Sequence, residues 1–143
     1  MTGGGLVAFR RLAAIIYSAV SAGVVCFQLA LAAGAPWGSY AMGGAFPGQF
    51  SLAMRVAAVM QAAIIAGTVM IVLSRAGVAL TSWSRPSGWL IWVVVALGSL
   101  SLVMNIATPS AGERMIWAPV AFILLTCSVV LAIAKPSEGD GGT

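Results

Sequence analysis

A chain of 143 residues has the length of one domain, and here 61% of the residues are apolar while only 7% are charged. A soluble domain carries about 25% charged residues, so this chain lacks the polar groups that a water-facing surface requires, and its mean hydropathy of +1.06 points to lipid as its solvent. The net charge of +4 is scattered along the chain, which excludes the clustered basic surface that tracks nucleic-acid phosphates.

Four apolar runs follow in chain order: Leu12–Ala33, Leu52–Ser74, Gly88–Ala107 and Met115–Ala134. Each is close to the roughly 20 residues that cross a bilayer as a helix. Helix is the expected form because a lone strand leaves its backbone polar groups unsatisfied in lipid. The sequence therefore predicts an all-α membrane protein, a four-transmembrane-helix bundle filling one domain over 1–135. The polar, glycine-rich tail at 136–143 is expected to be disordered.

The first run is preceded by Arg10 and Arg11 and resembles a signal peptide at first sight. Its apolar stretch is longer than the 7–15 residues of a signal h-region, so a retained anchor is expected. Arg10, Arg11, Arg75, Arg85 and Lys135 would lie on one side of the membrane, with Arg55 and Arg114 on the other. Lysine and arginine accumulate on the cytoplasmic side, which places both termini in the cytoplasm, in the inner or plasma membrane of a cell.

The first connection, GAPWGSYAMGGAFPGQF, is long, uncharged and rich in glycine, proline and aromatics. Such a sequence implies defined turns and a loop that folds back onto the bundle. The second connection, RAGVALTSWSRPSG, offers Trp83 and Trp89 as interface anchors. The third, TPSAGER, is short and carries Glu113, the acidic residue outside the tail.

Polar residues inside the spans are costly and face other helices or a cavity. Ser18, Ser21 and Gln28 share a face of the first helix, Gln61 and Thr68 of the second, and Ser101 and Asn105 of the third. Gln28 lies about 8 Å and Gln61 about 13 Å below the outer ends of their spans, at 1.5 Å per residue. One reading makes these amides interhelical hydrogen-bonding groups, assisted by small-residue faces such as Ala19-xxx-Gly23 and Ala63-xxx-Gly67. The other makes them the lining of a polar pocket open to the outside.

Charges at the outer rim allow three arrangements. Arg55 pairs with Glu113, or Arg55 and Arg114 hold an anionic group such as a lipid phosphate, or Arg55 snorkels. Trp37, Tyr40 and Trp117 flank them as an aromatic belt.

No histidine occurs, which excludes His-ligated haem, His metal sites and His general bases. Cys26 and Cys127 lie in apolar runs without a CxxC pair, so both read as small buried apolar residues, a TM1–TM4 disulfide being the alternative. The four runs hold no Asp or Glu, and neither a catalytic triad nor a carboxylate pair can be assembled from this inventory. No enzyme activity, cofactor or metal is expected.

The outer loop GAPWGSYAMGG, with FPG, Arg55, Gln61, Asn105, TPS, Glu113-Arg114 and WAP, resembles a group of small uncharacterised bacterial four-helix integral membrane proteins. The likeness runs from Gln28 to Pro119 and implies a bacterial inner-membrane protein with an outward-facing motif surface.

The expected function is that of a non-enzymatic accessory or partner-binding subunit acting through its outward-facing loops. Its partners would be the lipid bilayer and a membrane protein or further copies of itself, with no nucleic acid. The alternative is a binder or carrier of a small apolar or lipid-like molecule in an outer-leaflet pocket. Gln28, Trp37, Tyr40, Arg55, Gln61, Asn105, Glu113, Arg114 and Trp117 are the candidate residues for either role.

Overall fold

A computed structural model describes residues 2–134. Among them the secondary structure is helical throughout: α1 (Gly3–Ala33), α2 (Leu52–Arg75), α3 (Ser84–Ala107) and α4 (Ala111–Ile133), with short 3-10 turns at Gly38–Tyr40, Met42–Gly44 and Thr81–Trp83. All four helices are long and apolar enough to cross a membrane. The expected disordered tail and Lys135 lie outside the described residues.

Two helices start earlier than the apolar runs suggest. α1 extends to Gly3, and Arg10 is buried within it, donating from Nη2 to the Arg75 carbonyl at the end of α2. α4 begins at Ala111 because Ser110 caps it: its hydroxyl oxygen accepts from the Glu113 N–H at 3.2 Å, satisfying an N–H with no partner inside the helix. Glu113 thus sits in the first turn of α4, not in a loop.

The helix ends follow local chemistry. Gly34 adopts φ 106° after α1, and the Ala35 N–H reaches back to the Ala30 carbonyl at 2.9 Å, which closes the helix in a Schellman motif. Gly77, at φ 68°, does the same after α2, with Val78 bonded to Leu73. α3 carries Pro86 in its first turn, where no N–H is needed, and stops ahead of Pro109. Arg75 donates to the carbonyls of Leu131 and Ala134, closing the free end of α4.

Helices α1 and α2 pack antiparallel, as do α3 and α4, and these two pairs join mainly through α1 and α4. The bundle has a cap end, covered by the 34–51 connection, and a base. At the base the core is Ala13, Ala14, Tyr17, Val72, Ala76, Ile91, Val94, Cys127, Leu131 and Ala132. At the cap end it is Leu31, Ala41, Phe50 and Ala58. Between the two cores the packing is open. The helix α3 is least enclosed, with 11% of its most apolar stretch buried, so the α2–α3 seam is the loose one.

Large apolar side chains cover the outer surface, among them Leu52 at 79% and Met115 at 78% exposed. A continuous apolar exterior of this kind is unfavourable in water and matches a hydrocarbon surround. Both cysteines are free thiols: Cys127 is buried as expected, whereas Cys26 is exposed on the outside of α1.

A bond between side chains also joins α1 to α2 across the interior, from the Tyr17 hydroxyl to Thr68 Oγ1 at 3.0 Å, while Thr68 donates to the Ile65 carbonyl at 2.7 Å. Interhelical bonds in membranes average about 0.6 kcal/mol. Tyr17→Phe is therefore expected to lower stability by about that amount with helicity unchanged, as read by denaturant unfolding in detergent.

Candidate functional site

The 34–51 connection folds onto the bundle, as its composition predicts. Its ends are held by Arg55, whose Nε donates to the Phe50 carbonyl at 3.0 Å and whose guanidinium lies against Gly34. Arg55 therefore clasps the two ends of the loop and does not pair with Glu113. Trp117 Nε1 donates to the Tyr40 carbonyl at 2.7 Å and Ser110 Oγ to the Ser39 carbonyl at 3.0 Å. The rings add to this attachment: Phe27 stacks on Trp37 at 6.2 Å between centroids and meets Trp117 at 4.6 Å in a tilted arrangement. Trp37, Tyr40 and Trp117 are thus joined to the loop attachment rather than being only an aromatic belt.

Glycine makes two of these contacts possible. A Cβ on Gly38 would lie 1.8 Å from the Phe46 carbonyl oxygen, and one on Gly112 would lie 2.8 Å from Tyr40 Cε1. Loop backbone crosses loop backbone at the first, and the Tyr40 ring lies on the first turn of α4 at the second.

Beneath this roof is a cavity of about 260 Å³. Tyr17, Thr68, Val94 and Ser128 line it toward the base, and Phe27, Tyr40, Met42, Glu113 and Trp117 toward the cap end. Gln28, Gln61 and Asn105 lie along it on three different helices. Met42 is held at φ 52°, a left-handed conformation that costs about 1–3 kcal/mol for a non-glycine residue, so backbone strain sits in the roof. A side crevice lined by Met42, Gln61, Leu97, Leu100, Ser101, Met104, Asn105 and Glu113 continues the cavity outward between α2 and α3.

The amides make no hydrogen bond between helices. Asn105 Nδ2 donates within α3, to the Ser101 carbonyl at 2.8 Å and Ser101 Oγ at 3.3 Å. Among the described residues the side-chain amides of Gln28 and Gln61 have no hydrogen-bonding partner. Gln28 is buried and Gln61 is exposed at the mouth. Of the polar stripe on α1, Ser21 and Gln28 are buried, whereas Ser18 donates to its own helix at Ala14.

Glu113 is buried, at 8% exposure, and one carboxylate oxygen accepts from Thr108 Oγ1 at 2.7 Å. Thr108 Oγ1 also accepts from the Ser110 N–H at 3.3 Å, so the hydroxyl stands between the capped turn and the carboxylate. Arg114 turns outward and donates from Nη2 to the Thr108 carbonyl at 2.7 Å. Neither Arg55 nor Arg114 lines the cavity.

No protein-family model, curated protein or solved structure matches the chain. Gln28, Tyr40, Gln61, Asn105, Glu113 and Trp117 come together around the cavity, while Trp37, Arg55 and Arg114 serve the loop and the α4 cap. Sequence reasoning missed Tyr17 and Phe27 as lining residues. Tyr17 sits eleven residues before Gln28, three helical turns along one face, and that spacing was its available signal. Among the described residues, no group of three or more His, Cys, Asp or Glu could hold a metal ion.

Proposed function

We propose that this protein is a multi-pass integral membrane protein that binds a small, largely apolar or lipid-like molecule in the cavity beneath the 34–51 loop. The observation that carries the proposal is the pair of amides, Gln28 and Gln61, which line the cavity without a protein partner. Both amides are open to the cavity rather than bonded within the protein, and a bound molecule with one polar end supplies the hydrogen bond that an apolar surround cannot. The volume of about 260 Å³ falls just below the roughly 300 Å³ lower bound of ligand pockets, which suits a compact molecule or a single chain. Access is by the side crevice between α2 and α3, whose rim of Leu97, Leu100 and Met104 is apolar and exposed.

The positive-inside rule supports an orientation with both termini cytoplasmic. The cap end then faces outward, and the cavity lies in the outer half of a bacterial inner membrane, in line with the family resemblance of the loop motifs. The protein acts by binding and not by catalysis. A second reading, as an accessory subunit, draws on the exposed Trp37, Tyr40, Met42 and Phe46 of the ordered loop, which offer an apolar face to a membrane-protein partner or another copy.

Native mass spectrometry of the chain extracted in mild detergent tests the first reading. A small molecule should be retained, and Gln61→Leu should remove it while the chain stays folded. If Gln61→Leu only lowers stability, the amide is a packing group. Retention of a stoichiometric protein partner, with no small molecule, would favour the accessory role instead.

A further inference from the structure

We propose that Glu113 makes this cavity selective for an organic cation, an amphiphile with an apolar body and an ammonium head; the inference rests on the binding reading above and names its ligand class. Among the described residues Glu113 is the carboxylate of the cavity lining, and no lysine or arginine lines it. A buried carboxylate is costly unless it is paired and hydrogen-bonded. Within the protein Glu113 has the Thr108 hydroxyl and its place in the first turn of α4, where the helix dipole favours negative charge.

Those groups stabilise the charge without neutralising it. The two arginines in the cap-end turns of α2 and α4 are committed elsewhere, Arg55 to the Phe50 carbonyl and Arg114 to the Thr108 carbonyl. The counter-charge is therefore left for whatever enters the cavity.

The surroundings suit an ammonium head. Tyr40, Trp117 and Phe27 line the same end of the cavity, and aromatic faces attract a desolvated cation. Gln28 and Gln61 add amide oxygens, whose partial negative charge favours an ammonium head. Toward the base, Val24, Ile64, Ile65, Val94 and Leu124 stand beside Tyr17, Thr68 and Ser128, whose hydroxyls are bonded within the protein, and this end would take the apolar body. An anionic amphiphile would meet the carboxylate at close range with no cation to offset it.

The full chain in detergent would be titrated with octyltrimethylammonium, with its uncharged carbon isostere 2,2-dimethyldecane, and with octyl sulfate, with binding read by native mass spectrometry. The expected result is one cation per chain, bound about 30-fold or more tightly than the isostere, the usual effect of losing one member of a desolvated charge pair. Octyl sulfate should not bind. Glu113→Gln should bring the cation to the level of the isostere, since its amide oxygen still accepts from Thr108. Equal binding of cation and isostere to the wild-type chain overturns the charge selectivity while leaving the pocket in place, and so does a cation preference that survives in Glu113→Gln. Binding of none of the three probes overturns both. The wild-type comparison of cation with isostere decides the matter even if Glu113→Gln does not fold.

Discussion

Gly38→Ala should detach the 34–51 loop from the bundle. The added Cβ would lie 1.8 Å from the Phe46 carbonyl oxygen and 2.8 Å from that of Gly48, so it meets backbone on two sides and no flexible side chain can give way. The Gly38 N–H bond to the Gly48 carbonyl, 3.0 Å long, must break as the strands of the loop separate. Overpacking typically costs about 1–3 kcal/mol, and the lost hydrogen bond adds about 1 kcal/mol. Because Tyr40, Ala41 and Met42 form the roof of the cavity, the same change should open it. The expected measurement is faster proteolysis or hydrogen exchange confined to the loop, with α1–α4 still helical and with ligand retention lost. Unchanged loop protection would show that the crossing at Gly38 is not tight.

Filling the cavity should abolish binding with little effect on the fold. Ala121, 4% exposed, faces it from α4, and Ala121→Phe would project a ring into the space. Leu97→Trp would do the same from the rim, where Leu97 is 43% exposed and lines both the cavity and the crevice. The two variants separate steric exclusion from damage to packing. A Phe that fits poorly costs about 1–3 kcal/mol, whereas the rim position has room to adjust. Loss of ligand in both, with the helical fold kept in Leu97→Trp and its unfolding temperature matching that of the ligand-free wild-type chain, is the expected result. Binding that survives both substitutions would place the ligand elsewhere.

Helix number and type were legible because run length and apolar content are local properties that lipid turns directly into helix. The ends are less so, since a charge at the edge of an apolar run does not mark the end of the helix. Arg10 and Glu113 show why. Each is buried inside a helix because a backbone or hydroxyl partner compensates it, Arg75 in one case and Thr108 in the other. The Ser110-Ala111-Gly112-Glu113 spacing was itself a capping signal, and it places the acid in the first turn of α4.

The polar stripes were legible for a similar reason: helical periodicity alone brings Gln28, Gln61 and Asn105 to their faces. Their partners were not, because pairing depends on how the connections fold. Arg55 and Glu113 are opposite charges at one end of the bundle, yet Arg55 is aimed by Phe50 and Gly34, whose positions follow from the loop closure. Asn105 is satisfied by Ser101 four residues earlier, a local bond that removes any need for a neighbouring helix.

The most direct test of the binding site is a structure of the full chain in lipid nanodiscs. The expected result is non-protein density in the cavity, within hydrogen-bonding distance of Gln28 or Gln61 and beside Glu113. A closed interior, with those two amides bonded to neighbouring helices and no density between α2 and α3, would contradict it.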